Sequence, residues 1–541
     1  MATSDSRQAR PQPISRRRLL RLAAGASVAA VSASRPANAA DTTAVTPAHL
    51  RAQTAPGAQN SVVIIQTGEA ATLDWQMHCD KNAHEIDRQI FDTLLRRNLN
   101  TLRLEGNLAE SWRLIDDTTW EFKLRRGIRF HNGESFDGEA VKFSIERMLN
   151  PKQGAPGRSS IAAIDHVDVI DPFTVHVVTR KAFPLLPVRM SPGQCGTIGI
   201  VPPKYVAQAG DAGFAAKPVG TGPYRFVEWV KDDHVTLEAN KDYHRGAPAI
   251  DRLVFRPVPE LATRVAALLS GEADLVSDIP PDQVGKIKTS NVARVEVSTR
   301  GGFVIMVKIT NYLMPGPWED VRVRRAINYA IDMDTIIKTV LEGYGQVLGV
   351  PLEREAFGFD PNIKWYGYDP EQATALLRQA GYAGGFEMTL HAPDHRYMND
   401  VEVMQAIASM LGRVGIKAKV QVWEQSIYTT KWSKRELLPA YMVAWGGGGL
   451  FDGDLLVNSL DSHSALAIFK NEGLDTLLED AQQTTDPQKR KDLYWKAQGL
   501  IYQEAPIIKA YQQAHIFGVS RRLNWHPAID NMLFLYDARL R

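Results

Sequence analysis

The sequence predicts an α/β fold built from more than one layered unit. Three observations carry this reading. Nine short apolar or alternating runs read as strands, helical segments with clear ends lie between them, and the chain is 541 residues long. Structural units commonly span roughly 100–200 residues, so this length suggests about three of them. Strands that alternate with helices pack as α/β layers.

The first element in chain order is an address. Ser15-Arg16-Arg17-Arg18-Leu19-Leu20-Arg21 places paired arginines ahead of a short apolar stretch at 22–33, and Ala37-Asn38-Ala39 supplies small residues for a signal peptidase. This is the layout of a secretory signal, and the twin arginine points to Tat export. A membrane helix needs roughly 20 apolar residues, which no run in the chain reaches. We therefore expect a signal peptide at 1–39, a flexible lead-in at 40–60, and a mature chain with no membrane span, free in the periplasm. No cysteine stands near the expected cleavage site, so a lipid anchor is not expected.

The charge balance follows from that division. The first 39 residues hold seven Lys/Arg and one Asp; the remainder carries 56 basic and 60 acidic side chains, a net of −4. Such a body has no electrostatic footprint for nucleic acid. Cys79 and Cys195 are single and far apart, outside CxxC spacing. In an oxidising compartment they either pair or are each small buried side chains.

The strand candidates run through the body. Residues 62–65 (Val-Val-Ile-Ile) read as a buried strand, and 120–124 (Trp-Glu-Phe-Lys-Leu) alternate as a half-exposed strand does. Further candidates are 174–178, 235–238, 253–255, 304–307, 386–390, 418–422 and 441–444. Asp369-Pro370-Glu371 opens a helix with an N-cap, a proline at the first position and an acid in the first turn; Gly381 closes it. Asp486-Pro487 repeats the device ahead of Leu493, Ala497, Leu500 and Ile501.

Enzymatic signatures are missing from the sequence. There is no GxSxG elbow, no GxxxxGK[ST] phosphate loop, no HExxH and no HRD or DFG set. No cofactor, metal or catalytic residue is therefore expected. His78, His84, His391 and His395 read as solvated loop histidines, and His131 as a hydrogen-bonded turn histidine.

The motifs carry a family resemblance. Leu108-Ala109-Glu110-Ser111-Trp112, then 120–134 (WEFKLRRGIRFHNGE), then 141–147 (VKFSIER) resemble the signature of the family 5 extracellular solute-binding proteins. These are the dipeptide, oligopeptide and nickel receptors of ABC importers. Val219-Gly220-Thr221-Gly222-Pro223-Tyr224 is similar to that family's GTGPY turn, Gly271-Glu272-Ala273-Asp274 to its GEAD turn, and 321–332 to its VRxAxxxAID helix. Residues 471–478 with Asp486-Pro487 are similar to its C-terminal helices. Five such blocks in the right order are strong, although they identify a fold more than a ligand. The charges of Arg324 and Arg325 read as solvated or salt-bridged.

The resemblance implies a type II periplasmic binding protein fold: two lobes around a cleft plus an extra α/β domain, of the cluster C type. Lobe I would take 61–92, 186–298 and 506–541, the extra domain 93–185, and lobe III 299–505. It implies a monomer that captures a peptide-like, opine-like or other small polar solute by hinge closure and hands it to an ABC permease with its ATPase, making and breaking no bond. Alternatives are a Tat-exported cofactor enzyme, or a chaperone or chemosensory module on the same fold.

The resemblance also points to ligand-binding residues. Trp445 matches a cleft tryptophan that in the peptide receptors precedes, by three residues, an aspartate pairing with the peptide amine. Here position 448 is glycine, within Trp445-Gly446-Gly447-Gly448-Gly449. A buried ammonium left unpaired costs several kcal/mol. Either Asp452 or Asp454 then reaches back, or the ligand is not an ordinary free-amine peptide; the second is the expectation. Trp423, Trp75 and Phe303 are the further expected cleft walls, beside Gly448.

Overall fold

The computed structural model describes residues 60–541, apart from 99, 194 and 447–449. The expected signal at 1–39, and the lead-in but for its last residue, lie outside them. Among the described residues no helix is long and apolar enough to cross a membrane.

Each of the nine predicted segments lies in a strand. Ser61–Gln66 and its neighbours form a seven-stranded sheet, in the order Ala293–Ser298, His515–Ser520, Leu275–Val276, Ser61–Gln66, Arg252–Pro257, His234–Ala239, Tyr224–Val230. The three central strands of this sheet run parallel. A six-stranded sheet follows the order Gly345–Val347, Ile507–Gln513, Phe303–Ile309, Ala440–Gly446, Phe386–Pro393, Ile416–Trp423. Its last three strands are parallel to one another. The extra domain is a four-stranded antiparallel sheet of Ala109–Asp116, Thr119–Leu124, Thr174–Thr179 and Ile164–Asp171. Helix Gly138–Leu149 covers it, capped by Asp137, whose carboxylate accepts the Glu139 and Ala140 N–H groups.

The helix ends follow the signals in the sequence. Asp369 caps Pro370–Gln379 by accepting the Gln372 N–H at 2.8 Å, and Asp486 caps Pro487–Glu504 by accepting the Lys489 N–H at 2.8 Å. Such caps satisfy orphan donors and contribute about 1 kcal/mol each. The family motifs are scaffolding. In the GTGPY turn a side chain on Gly220 or Gly222 would collide with the Ile90 carbonyl, and the Gly222 N–H donates to that oxygen at 2.8 Å. His131 seals the same turn: it accepts the Gly220 N–H at Nδ1 and reaches Gly222 O from Nε2 at 3.0 Å. Burial pushes its imidazole down to about 4. Asp274 of the GEAD turn is clamped by Arg522 and accepts the Val63 N–H. Arg324 is buried, bonds the Trp318, Glu319 and Glu504 carbonyls, and pairs with the Glu504 carboxylate.

Two of the expected boundaries need correction. Ile507–Gln513 pairs with Phe303–Ile309 in the six-stranded sheet, so the segment 506–541 divides between both lobes. The apolar side chains of Leu186, Met190, Ile198 and Ile200 belong to the core of the extra domain. Nothing in local composition marks either boundary, because 507–520 is buried in both sheets alike.

Cys79 and Cys195 form a disulfide, their Cα atoms 4.6 Å apart. It ties the loop ahead of helix Lys81–Ile90 to a segment 116 residues away in sequence.

Candidate functional site

The chain crosses between the two large sheets at 299–302 and again at Ala514. Strand directions place the same edge of each sheet at these crossings. On one side lie Gln66, Pro257 and Val276, which end parallel strands. On the other lie Pro393, Trp423 and Gly446, which also end parallel strands. The carboxyl ends of parallel strands are where open α/β sheets build ligand crevices.

Aromatic rings line the second edge. Val304 is in register with Trp445, and Phe303 with Gly446. Half-buried Phe303 packs against Tyr397 and His515, with ring centres 6.4 and 5.5 Å away. Trp445 is half-buried, 6.2 Å from Trp432, and its indole N–H is enclosed with no hydrogen-bond partner. Trp423 donates its indole N–H to His391 Nδ1 at 3.0 Å and carries the Lys431 ammonium 4.8 Å from its ring. His391 is therefore not a solvated loop histidine. It ends a strand, is buried, and meets Leu438 O at 2.9 Å. His395 is exposed.

Charged and polar groups line the first edge. Lys81 pairs with Asp278 at 2.7 Å. Desolvation by its neighbours opposes the charge on Asp278, which keeps an exposed side, yet the Lys81 ammonium overrides it and holds the carboxyl below its ordinary range. Glu85, bonded to the Gln66 amide at 2.7 Å, is pushed up to about 7 by burial. His78 and His84 are likewise buried rather than solvated, their ring centres 4.4 Å apart, with Asp87 beside them. His78 Nδ1 accepts the Asp80 N–H, which leaves the proton on Nε2 and turned to Asp87 at 2.6 Å.

Trp75 sits in the loop after Ser61–Gln66. It is buried against Phe91 and His84, and its indole N–H too has no partner. It borders a cavity of about 170 Å³ whose other walls include Arg88, Asp92, Arg96, Arg97 and Arg245. Two arginines reach from this side to the loop beyond the glycine run. Arg97 donates to Leu450 O at 3.0 Å and lies 5.3 Å from the Phe451 ring centre, while its Nε is buried without a partner. Arg189 approaches Asp454 at 3.5 Å.

The two candidate counter-charges have other partners. Asp452 is buried and held by both terminal nitrogens of Arg490, at 2.8 and 2.5 Å. Its carboxylate is therefore already paired, and of the two alternatives drawn from Gly448 this favours a ligand other than a free-amine peptide. Asp454 accepts from the Gln482 amide at 2.7 Å and faces Arg189; burial raises its carboxyl, and Arg189 offsets part of that. Gly448 lies outside the described residues. Gly446 has φ +81°, and a side chain there would strike the Glu353 carboxylate.

The structure thus brings Phe303, Trp423 and Trp445 to one edge and Trp75 to a cavity on the other side. Arg97, Arg189, Lys431 and Trp432 went unread in the sequence, and His391 reads there only as a loop histidine. The paired Arg96-Arg97 directly after Leu94-Leu95 was the signal available for the first of them.

Comparisons with known proteins agree with this architecture. A family model, bacterial extracellular solute-binding proteins, family 5 (middle), matches residues 103–465. The glutathione-binding protein GsiB of Pectobacterium atrosepticum is 28% identical over 451 residues, 81% of this chain and 85% of that protein. The solved structure of HbpA2 from Haemophilus parasuis superposes with a TM-score of 0.77 at 23% identity, covering 89% of this chain and 100% of that one. The binding protein AgaA from A. tumefacien R10, solved with agropinic acid, gives a TM-score of 0.73 at 24% identity, covering 89% and 99%.

Proposed function

The chain belongs to the family 5 bacterial extracellular solute-binding proteins, and from that premise we propose that it is the periplasmic receptor of an ABC importer, with a small carboxylate-bearing solute of peptide-like or opine-like character as its cargo. The solute enters between the lobes, is gripped by the aromatic edge at Trp445, Trp423 and Phe303, and meets the arginines beside Trp75. Lobe closure about the 299–302 and Ala514 crossings then buries it, and ligand favours the closed form because it touches both lobes. The permease reads that form. The chain performs no reaction, works as a monomer and reaches the periplasm through the Tat pathway.

The observation that carries the choice of solute is the charge of the walls. Arg88, Arg96, Arg97 and Arg245 converge on one cavity, whereas Asp452 and Asp454 are turned to Arg490 and Arg189. Asp92 and Asp537 share that wall but are outnumbered by the four arginines, and guanidinium groups suit carboxylates through paired N–H donors. Among the relatives, GsiB is named for glutathione and AgaA was solved with agropinic acid.

Native mass spectrometry of the protein purified from its host identifies any co-purified molecule, and calorimetry then tests it. We expect a solute with at least one carboxylate, and weak or no binding of simple dipeptides. Micromolar affinity for a simple dipeptide would overturn the choice of solute.

A further inference from the structure

We propose that the chain carries a second anion site, outside the crevice, where the extra domain meets the first lobe, and that it takes a phosphate-type dianion. A separate cavity of about 420 Å³ opens there, lined by Arg96, Arg125 and Arg126 from the extra domain and by His244 and Arg245 from the first lobe. Glu110 is the one carboxylate on its wall.

The partners of these arginines leave positive charge unspent. Arg125 donates Nε to Asn107 O at 2.7 Å and has Glu110 no nearer than 4.0 Å. Arg96 pairs with Glu105. The Arg126 guanidinium carbon stands 4.5 Å from the Phe173 ring centre and that of Arg245 4.8 Å from the Tyr536 ring centre. Among the described residues neither of these two has a carboxylate within ion-pair distance. Ring stacking fixes the plane of a guanidinium while leaving its edge N–H groups free to donate.

His244 adds an uncharged ring to the wall. Both of its ring nitrogens are enclosed without a hydrogen-bond partner, and Asp92 is 3.9 Å away. Burial, with Arg245, Arg125 and Arg96 nearby, holds the imidazole below its ordinary range. With Arg96 matched by Glu105, the three remaining guanidinium groups exceed what Glu110 neutralises. A tetrahedral dianion accepts from several directions at once, which is the arrangement these side chains present. This cavity shares Arg96, Asn107 and Arg245 with the cavity beside Trp75, so an anion here stands directly behind the solute wall.

The test uses the mature chain, inorganic phosphate as probe, and calorimetry at fixed ionic strength against chloride. Arg125 and Arg126 do not border the Trp75 cavity, so the Arg125→Gln, Arg126→Gln double variant separates this site from solute capture. We expect saturable phosphate binding in the wild type, weakened about tenfold or more in the double variant, with solute affinity unchanged. Arg126→Glu, at an exposed position, should abolish it on a folded chain. A second arm uses phosphatidylglycerol vesicles: binding that phosphate competes away identifies a lipid headgroup as the source, and absence of vesicle binding identifies a free phosphate. No saturable phosphate binding, phosphate binding that survives both substitutions, or vesicle binding that phosphate does not compete would each overturn the proposal.

Discussion

The two walls of the crevice are built from different chemistry. The second lobe presents rings: Phe303, Trp423, Trp432 and Trp445, with Lys431 over one of them. The first lobe and the extra domain present guanidinium groups, from Arg88, Arg96, Arg97 and Arg245 around Trp75. Rings grip many solutes through area and shape, because an apolar face asks little of its partner. Guanidinium groups choose, because Arg88 and Arg96 are matched by Asp530 and Glu105 while Arg97 and Arg245 keep donors that an anionic group pairs with best. On this account the ring wall supplies strength of binding, and the arginine wall supplies selection by charge.

The largest effect separates scaffold from site on the ring side. Asp452 is buried on Arg490, so Asp452→Asn should cost about 3–5 kcal/mol of folding stability in urea unfolding, since one charge is left buried alone. Solute affinity of the remaining folded protein should hold; a stable variant that no longer binds would move Asp452 into the site. Next comes the arginine side. Arg97→Gln should lower affinity for a carboxylate-bearing solute by about 1.5–3 kcal/mol, the scale of a hydrogen bond to a charged group. Its amidated analogue should bind wild type and variant alike. Equal losses for both would dissolve the distinction between the walls.

Trp445→Ala tests the ring wall itself. Loss of one aromatic contact should weaken binding by at least about 1–2 kcal/mol with the melting temperature held. An unchanged calorimetric constant would remove Trp445 from the site. The smallest effect concerns neither wall. Burial holds His131 at about 4 against roughly 6.5 in an unfolded chain. Between those values the unfolded chain binds the extra proton, so stability is full above about 6.5 and declines as pH falls toward 4. His131→Gln should flatten that part of the urea-midpoint profile and leave solute binding alone; an unaltered slope would contradict the buried, neutral assignment.

The two walls also differed in how they could be read. Tryptophans at the ends of strand-like runs, beside a glycine stretch, stand out by position, and Phe303, Trp423 and Trp445 do gather at one sheet edge. The arginines come from 88–97, 189 and 245, segments that meet through the fold and share no local pattern. Helix Lys81–Ile90 shows why. It reads as a polar surface helix, yet Glu85, Asp87, Arg88 and Gln89 are buried, each with partners from distant segments or its own turn. Sequence periodicity detects apolar faces and is blind to a buried polar network. The same blindness explains Asp452: it stood just beyond the glycines as a carboxylate able to reach back, and the partner that claims it lies 38 residues onward.

The central claim is that this chain is a hinged trap, and small-angle scattering measures it directly. Adding the solute found on the purified protein to a ligand-free sample should reduce the radius of gyration, with half-saturation at the calorimetric constant. A radius that stays constant while calorimetry shows the solute bound would contradict the account.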